Sequence, residues 1–278
     1  MLLNRNIQYP SMNNRRLKIY NVKFEETEFS CLMIHRLTSI LFSICTCLSL
    51  FCFSSNAQSI KYSKPNIAYF KSFVTGTEKL ITSPVHWNTT QTIIAGAGLQ
   101  TTLMLMQQDK NIQLWVQQHR NETTNNVSNL LKPLGNGFVL SSTCAALFMG
   151  GAISKSAPLK NFALQSLKSI AISSAAVGAS KLISGKPRPY QSLNPLAWAG
   201  PFQNTENRSF FSGHATFSFS MASSINYFSR NKFWGMMAYT VATGVALSRV
   251  NNNDHWSSDV FFGACMGTAI TYCLVKKN

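Results

Sequence analysis

The sequence predicts an all-α protein, a helical bundle of about six core helices. Apolar residues make up 45% of the 278 positions and fall in long runs instead of alternating with polar residues, which is typical of buried helices. The signals of β-strands are nearly absent. Charged residues make up only 12% of the chain, so it has enough apolar surface for a large core and a thinly charged exterior.

The first part of the mature chain is predicted to be mixed in structure. Residues 59–85 are polar and interrupted by prolines, and they show no clear helical pattern. A helix then opens after Asn88 and ends near Asp109. The next segment, 110–132, has apolar residues at helical spacing among polar ones, with a break at Asn121.

Longer apolar runs follow, each long enough to form a core helix. Prolines, glycines and clusters of asparagine separate these runs and mark the connections. The predicted helices cover residues 137–154, 159–184, 212–228, 233–248 and 255–275.

Residues 1–58 are predicted to be an N-terminal extension and a signal peptide. Met33 precedes a short basic start, an apolar run over 37–53 and small residues up to Ala57, which is the anatomy of a secretory signal cleaved after that alanine. An uncleaved membrane anchor is the alternative interpretation. We therefore expect an exported protein of the periplasm or cell envelope.

Residues 59–278 are predicted to form one helical domain, with a motif-bearing core at 137–278. Three of the seven cysteines lie in this part, all in apolar helical context. Their odd number and wide spacing indicate neither a disulfide framework nor a zinc site. They are expected to be small core residues.

The formal net charge of +16 indicates anionic partners, such as phosphorylated substrates or anionic lipid. No basic stripe with interleaved aromatics and no nucleic-acid motif is present, which argues against nucleic acid as a partner. Beyond residue 160 the chain has three carboxylates and two histidines, too few to hold a divalent metal through several oxygen ligands. We therefore predict no metal and no cofactor. Cations near those histidines are plentiful, Lys186 and Arg208 among them.

The sequence leaves open whether the helices cross a membrane. Lysines and arginines cluster at the helix ends opposite the predicted site, as in the positive-inside pattern. Against this, the helix at 212–228 is rich in serine, and Gln165 and Lys168 lie within the helix at 159–184, where lipid would be unfavourable for them. The balance favours a periplasmic globular bundle, either free or membrane-associated.

The stretch SRVNNNDHWSSD, residues 248–259, carries a predicted catalytic pair. His255 and Asp259 stand four residues apart, so on a helix they share one face. The carboxylate can then accept from one ring nitrogen and leave the other nitrogen free to attack. Arg249 can fold over the loop and offer a planar fork to phosphate oxygens. Taken alone, these are an ordinary helix-surface pair and a helix-end arginine.

Two upstream stretches supply further candidate phosphate ligands. In SFFSGHATFS, Ser212, Gly213 and His214 lie where a helix begins, so backbone N–H groups and the helix dipole favour an anion there. In KLISGKPRP, Lys181 offers a point charge and Arg188 a bidentate fork across a helix break. Taken alone, the first stretch is a serine helix cap and the second a basic helix end stopped by proline.

In chain order these residues form K-x6-R-P, then S-G-H, then S-R-x5-H-x3-D. The pattern resembles the three-part signature of the type 2 phosphatidic acid phosphatase and vanadium haloperoxidase superfamily, over roughly residues 137–278. Every charged position of the signature is matched. One position departs from it: Phe211 stands where the family usually has proline, and we expect a less rigid loop there without loss of activity.

The resemblance implies a helical bundle that hydrolyses phosphoesters without metal, on the phosphatase branch of the superfamily. His255 would attack phosphorus and form a phosphohistidine, while Asp259 orients its ring. His214 would protonate the leaving oxygen and then help to activate water. The resemblance also implies five phosphate-binding residues, which would neutralise the phosphate oxygens: Lys181, Arg188, Ser212, Gly213 and Arg249.

Two alternatives remain open for the function. The same pocket resembles the vanadate site of haloperoxidases, although export and the lack of a long additional N-terminal helical region favour a phosphatase. A non-catalytic envelope protein is the other alternative, and the complete catalytic set argues against it. The substrate is open too: a soluble exported form indicates small monoesters, and a membrane-facing form indicates lipid phosphates. The segment at 190–209 is expected to shape this choice.

Overall fold

A computed structural model describes residues 64–202, 208–229 and 231–275. Within these residues the chain forms eight α-helices and no strand, which confirms the all-α prediction. In chain order they are α1 (Ile67–Thr82), α2 (Thr89–His119), α3 (Glu122–Leu131), α4 (Gly137–Ile153), α5 (Ala157–Ser184), α6 (Gly213–Phe228), α7 (Lys232–Asn251) and α8 (Ser257–Val275). The predicted signal peptide lies outside the described residues.

Two helices differ from the sequence prediction. Helix α1 falls in the segment without a clear pattern and begins after Asn66, whose side-chain oxygen accepts the Tyr69 backbone N–H at 3.0 Å. Helix α2 does not end near Asp109 but continues to His119, because no glycine or proline interrupts that stretch. Asp109 therefore lies inside a helix, and its side chain is buried.

The helix ends are set by local side chains. Asn88 and Asn121 each form a capping box with the residue three positions further on, at the starts of α2 and α3. The Ser212 hydroxyl accepts the Ala215 N–H at 3.5 Å at the start of α6. Helix α5 ends at Gly185, which has a φ of +57°, the left-handed cap that glycine adopts readily. Each signature stretch thus lies at a helix end.

Helix α6 packs against α5, α7 and α8. Its contact with α8 is close, since a Cβ atom on Gly267 would lie 2.1 Å from the Thr216 carbonyl oxygen. The Ser220 hydroxyl of α6 hydrogen-bonds to Ser173 of α5 at 3.0 Å and to Thr271 of α8 at 2.9 Å. This tight packing fixes the relative positions of the helix ends that carry the signature stretches.

The outer surface of the bundle exposes large apolar side chains. Helices α5 and α8 are long and apolar enough to cross a membrane, and a third span arises if the pair 122–135 and 137–153, bent by 54°, is taken as one. The most exposed apolar side chains of α1 and α4 have 72% to 83% of their surface accessible: Ile67, Val74, Ile81, Phe138 and Ile153. Apolar surface of this kind is typical of contact with lipid or a partner protein.

Candidate active site

The predicted site residues meet at one end of the bundle. Lys181 lies in the last turn of α5 and Arg249 in the last turn of α7, while His214 and Asp259 lie in the first turns of α6 and α8. His255 lies two residues before the start of α8. Lys181 interacts electrostatically with Asp259 and Arg249, and His214 interacts with His255. Packing thus gathers side chains from four helices into one place.

Ser209 joins the predicted nucleophile to its carboxylate. Its hydroxyl donates to Asp259 Oδ2, and its oxygen lies 3.4 Å from His255 Nδ1. The direct distance from His255 Nδ1 to Asp259 Oδ2 is 3.8 Å, too long for a hydrogen bond. The sequence spacing predicted a direct contact, but His255 precedes the helix, so helical geometry does not apply to it. The serine bridge assigns the ring proton to Nδ1 and leaves Nε2 basic.

His255 is held as a neutral side chain. Its exposed fraction is 4%, and burial lowers its pKa in spite of the opposing effect of Asp259. The neutral imidazole is the form that can attack phosphorus. Its Nε2 atom accepts no hydrogen bond from the described residues, so this nitrogen is available to a substrate.

Asp259 is fixed from several directions. Its Oδ1 atom accepts from Lys186 Nζ at 2.7 Å, and its Oδ2 atom accepts the Trp256 backbone N–H at 3.2 Å beside the Ser209 hydroxyl. Its carbonyl oxygen accepts the Ser212 N–H at 3.1 Å, which ties the start of α8 to the start of α6. Because Asp259 is fully buried, these contacts are needed to keep a carboxylate in the interior.

The Ser-Gly-His turn presents the start of α6 to the site. Ser212 is fully buried and caps the helix, while the N–H groups of Gly213 and His214 belong to the first turn, where no intrahelical acceptor exists. The positive end of the helix dipole lies there too. Phe211, directly before the turn, is buried with its ring 5.3 Å from that of Phe262. Aromatic packing therefore holds the position at which proline was expected.

His214 faces the cationic side of the site. Its pKa is lowered to about 3, first by burial and then by the charges of Arg249, His255, Lys132 and Lys181. Its buried Nε2 atom has no hydrogen-bond partner among the described residues. The ring is therefore neutral in the free protein, and one nitrogen is available to a bound ligand. A negatively charged ligand would raise this pKa.

Four cationic side chains lie close to one another beside the histidines. Lys181 interacts electrostatically with Arg188, Arg208 and Arg249, so like charges are gathered at an energetic cost. Asp254 binds Nη2 of Arg249 and lies 3.9 Å from Nη1 of Arg188, which orients both guanidinium groups. Within the described residues, the buried Nε and Nη1 of Arg249 and the buried Nε of Arg208 have no acceptor. Buried donors usually have a partner, and an anion such as phosphate is a suitable acceptor for a guanidinium group.

Three neighbours of the site were not predicted from the sequence. Ser209 and Asp109 belong to no motif, and Asp254 stands at an unspecified position of the third motif, so each acquires its role through contacts in the folded chain. The scarcity of carboxylates was a usable signal. The whole chain has only nine Asp and Glu residues. Asp109 directly follows residues 89–108, which carry no charge, and a carboxylate in such a position indicates a buried partner.

The prediction of a site without metal stays a prediction. Within the described residues, no group of three or more His, Cys, Asp or Glu side chains is arranged to hold a metal ion. The carboxylates of the site bind lysine, arginine and serine side chains instead. A chelator provides the direct test.

Comparisons with known proteins found one family match and two partial similarities. Residues 162–277 match the PAP2 superfamily. A stretch of 68 residues is 38% identical to a lipid A 1-phosphatase of Porphyromonas gingivalis, and it spans 24% of this chain and 15% of that relative. A crystal structure of a transmembrane PAP2 type phosphatidylglycerolphosphate phosphatase from Bacillus subtilis is 16% identical, covers 74% of this chain and 93% of that one, and gives a TM-score of 0.46. The similarity to the PAP2 superfamily therefore covers residues 162–277, the part of the chain that carries the three signature stretches.

Proposed function

We propose that this chain is a metal-independent phosphatase that hydrolyses lipid phosphates through a phosphohistidine at His255. One observation carries the proposal: a neutral histidine, oriented by Ser209, lies in a cationic cluster whose buried guanidinium N–H groups have no acceptor among the described residues. A nucleophile next to an anion pocket suits phosphoryl transfer, because catalysis of that reaction consists largely of positioning and charge stabilisation. The match of residues 162–277 to the PAP2 superfamily supports the same reaction class.

In the first step, Nε2 of His255 attacks phosphorus and the ester oxygen leaves. The P–N bond forms as the P–O bond breaks, and the Nδ1 proton stays on the ring, donated to Ser209. The Ser209–Asp259 pair stabilises the positive charge that develops on the imidazole. The remaining ligands neutralise the equatorial phosphate oxygens, and they are Lys181, Arg188, Arg249, Ser212 and the Gly213 N–H.

His214 supplies a proton to the leaving oxygen and later takes one from water. In the free protein its pKa of about 3 keeps it neutral. A bound phosphate ester adds negative charge beside it and raises that pKa, so the imidazolium forms when substrate is in place. After this proton has gone to the leaving oxygen, the neutral ring accepts a proton from the water that attacks the phosphohistidine and releases phosphate.

The surroundings of the pocket support a lipid substrate. The loop between α5 and α6 carries Tyr190, Leu193, Leu196 and Phe202, which have 58% to 85% of their surface exposed. This loop folds back onto the end of α5, where the Phe202 N–H donates to the Leu182 carbonyl at 2.9 Å. Exposed apolar side chains beside a phosphate pocket suit acyl chains whose headgroup enters that pocket. The name of the P. gingivalis relative supports the same substrate class.

The apolar exterior supports a membrane-associated enzyme of the cell envelope. Helices α5 and α8 are long and apolar enough to cross a membrane, and the outward faces of α1 and α4 expose large apolar side chains. Such a surface is stabilised by lipid, since burying it removes apolar area from water. The signal peptide predicted to begin at Met33 would deliver the chain to the envelope.

Phosphate release by the full-length protein in detergent, with chelator present, tests the proposal. Two substrates are compared, diacyl phosphatidic acid in mixed micelles and a water-soluble aryl phosphate. His255→Ala serves as the catalytic blank. His119→Ala is the matched control, because His119 is an exposed histidine at the end of α2.

We expect chelator-resistant release that favours the lipid, almost none of it in His255→Ala and all of it in His119→Ala. Release that favours the aryl phosphate would replace lipid by small monoesters as the substrate class. Activity retained in His255→Ala would refute the mechanism. Halide oxidation with vanadate and peroxide, in place of phosphate release, would make the chain a haloperoxidase. No turnover in either assay would favour a non-catalytic envelope protein.

A further inference from the structure

A buried ion network lies behind the catalytic pair. Lys186 Nζ lies 2.7 Å from Asp259 Oδ1 and 3.4 Å from Asp109 Oδ2, and all three side chains are 0% exposed. Lys186 also donates to the Ser258 hydroxyl at 3.1 Å. Asp109 comes from α2, outside the residues 162–277 that match the family. A carboxylate from a helix upstream of the matched region thus takes part in the surroundings of Asp259.

The network holds one ammonium group between two carboxylates. A lysine at this depth requires carboxylate partners to offset the loss of its hydration. Aromatic rings complete its surroundings, with Nζ 5.6, 5.8 and 5.9 Å from the ring centres of Trp198, Phe210 and Trp256. Lys186 therefore has little freedom to move, and it holds Asp259 Oδ1 in a defined place.

Asp109 also holds the first turn of α8. Its Oδ1 atom accepts the Ser258 backbone N–H at 2.9 Å and the Ser257 hydroxyl at 2.6 Å, and its Oδ2 atom accepts the Ser258 hydroxyl. Asp109, from a helix far away in the sequence, thus accepts hydrogen bonds at the start of α8 as an N-cap side chain would, and its negative charge complements the helix dipole. Asp259 follows in the same turn, so its position depends on this cap.

We propose that Asp109 is a positioning residue of the phosphate-transfer site. It sets the place and the charge of Asp259 through Lys186 and through the first turn of α8, and Asp259 acts on His255 through the Ser209 bridge. The inference rests on the proposed function, because it assigns Asp109 a part in the chemistry of His255. It adds to the signature a residue, Asp109, that lies more than 50 positions before residue 162, where the matched region begins.

The proposal predicts a measurable change in how strongly the protonated form of His255 is stabilised. Burial raises the pKa of Asp109, while Lys186 and the Ser257 and Ser258 hydrogen bonds oppose this effect and favour the carboxylate. Where Asp109 is ionised, Asp109→Asn removes one negative charge and leaves Lys186 to Asp259 alone, so the protonated form of His255 is less stabilised. The acid limb of the pH–rate profile, along which His255 loses its proton, then moves to lower pH. Besides Asp259, the charged or titratable groups that interact with His255 are Lys181, Arg188 and His214, and they stay unchanged.

The experiment compares wild type with Asp109→Asn in the full-length protein, using one lipid phosphate throughout so that substrate ionisation is common to all profiles. Thr102→Val is the matched control, because Thr102 is buried on the same face of α2 and its hydroxyl donates only to the Gly98 carbonyl, at 2.8 Å. Thermal unfolding of each variant is measured alongside. The side-chain ¹⁵N resonances of His255, assigned by their loss in His255→Ala, report on the ring without turnover.

We expect kcat of Asp109→Asn to fall about tenfold with KM within about twofold, and its acid limb to move down by about half to one pH unit. The His255 resonances should shift in Asp109→Asn and stay in place in Thr102→Val. A wild-type pH profile and unshifted resonances in folded Asp109→Asn would overturn the inference. If that variant does not fold, Ser257→Ala takes its place, because it removes one hydrogen-bond donor to Asp109. Its kcat is expected to fall about threefold, and wild-type kinetics of Ser257→Ala would overturn the inference.

The two proposals fail in different ways. If wild type releases no phosphate, or His255→Ala still releases it, the proposed function fails, and the resonance shifts alone decide whether Asp109 positions the His255 ring. If wild type is active and His255→Ala is inactive, but Asp109→Asn matches Thr102→Val in every measurement, only the role of Asp109 fails.

Discussion

Replacing Ser209 by alanine tests the geometry of the proposed nucleophile directly. The Ser209 hydroxyl donates to Asp259 Oδ2 and lies 3.4 Å from His255 Nδ1, and the residue is 0% exposed. Alanine removes the bridge and adds no new polar contact. Since water has little access to a fully buried position, the ring proton of His255 and one lone pair of Asp259 lose their partner.

The structure sets the size of the effect. The 3.8 Å between Nδ1 and Oδ2 exceeds an ordinary N–H···O distance by about 0.9 Å, so the ring must move by that much to bond Asp259 directly. Such a movement takes Nε2 away from its line of attack on phosphorus. Loss of one partner in a buried polar pair costs about 1–3 kcal/mol, which corresponds to a decrease in kcat of roughly 5- to 150-fold.

The assay is phosphate release from a lipid phosphate under saturating and limiting substrate. KM should stay within about twofold, because the Ser209 hydroxyl orients the nucleophile and is not one of the proposed phosphate ligands. Ser218→Ala is the matched control: Ser218 is also a buried serine, and its hydroxyl donates to the Ala215 carbonyl within α6 at 3.1 Å. Thermal unfolding separates a loss of folded protein from a loss of kcat.

Two outcomes would contradict this reasoning. A kcat of Ser209→Ala within twofold of wild type, at equal Tm, would show that the bridge does not orient the ring. Equal losses of kcat in Ser209→Ala and Ser218→Ala would attribute the effect to the removal of a buried hydroxyl in general. A loss confined to Ser209→Ala and to kcat supports the bridge.

Two further predictions concern stability. The pKa of His214 is lowered from 6.5 to about 3. Between these two values the unfolded chain binds a proton at this histidine that the folded chain does not bind. The free energy of unfolding therefore falls as the pH decreases from about 6.5 towards 3. His214→Gln should therefore flatten the decline of Tm over this range, and an unchanged slope would contradict the assignment. Gly267→Ala should lower Tm, at a cost of about 1–3 kcal/mol, because its Cβ would lie 2.1 Å from the Thr216 carbonyl oxygen. Gly150→Ala, where no described atom beyond its own stretch of helix lies within 4 Å of the new Cβ, should leave Tm unchanged or raise it, and a similar loss in both variants would refute the close contact.

The sequence alone was sufficient to predict the fold class and the family. Helices are local structures, so periodicity and breakers located α4 to α8 within a few residues. The family prediction is confirmed by the match over 162–277. Helix α1 was missed because its mixed composition hides its pattern, and the length of α2 was underestimated because Asp109 resembled a polar helix end.

Tertiary structure decided the contacts that give these residues their chemistry. The spacing of His255 and Asp259 predicted direct contact, but α8 begins at Ser257, so the histidine lies outside the helix and Ser209 completes the link. Asp109 and Ser257 are separated by 148 positions, and no local pattern can report a hydrogen bond between them. Sequence determines which side chains and helix ends are present, because these depend on neighbours in the chain. Which buried charge pairs with which depends on how the helices pack, because ion pairs of this kind form only where separate segments exclude water together.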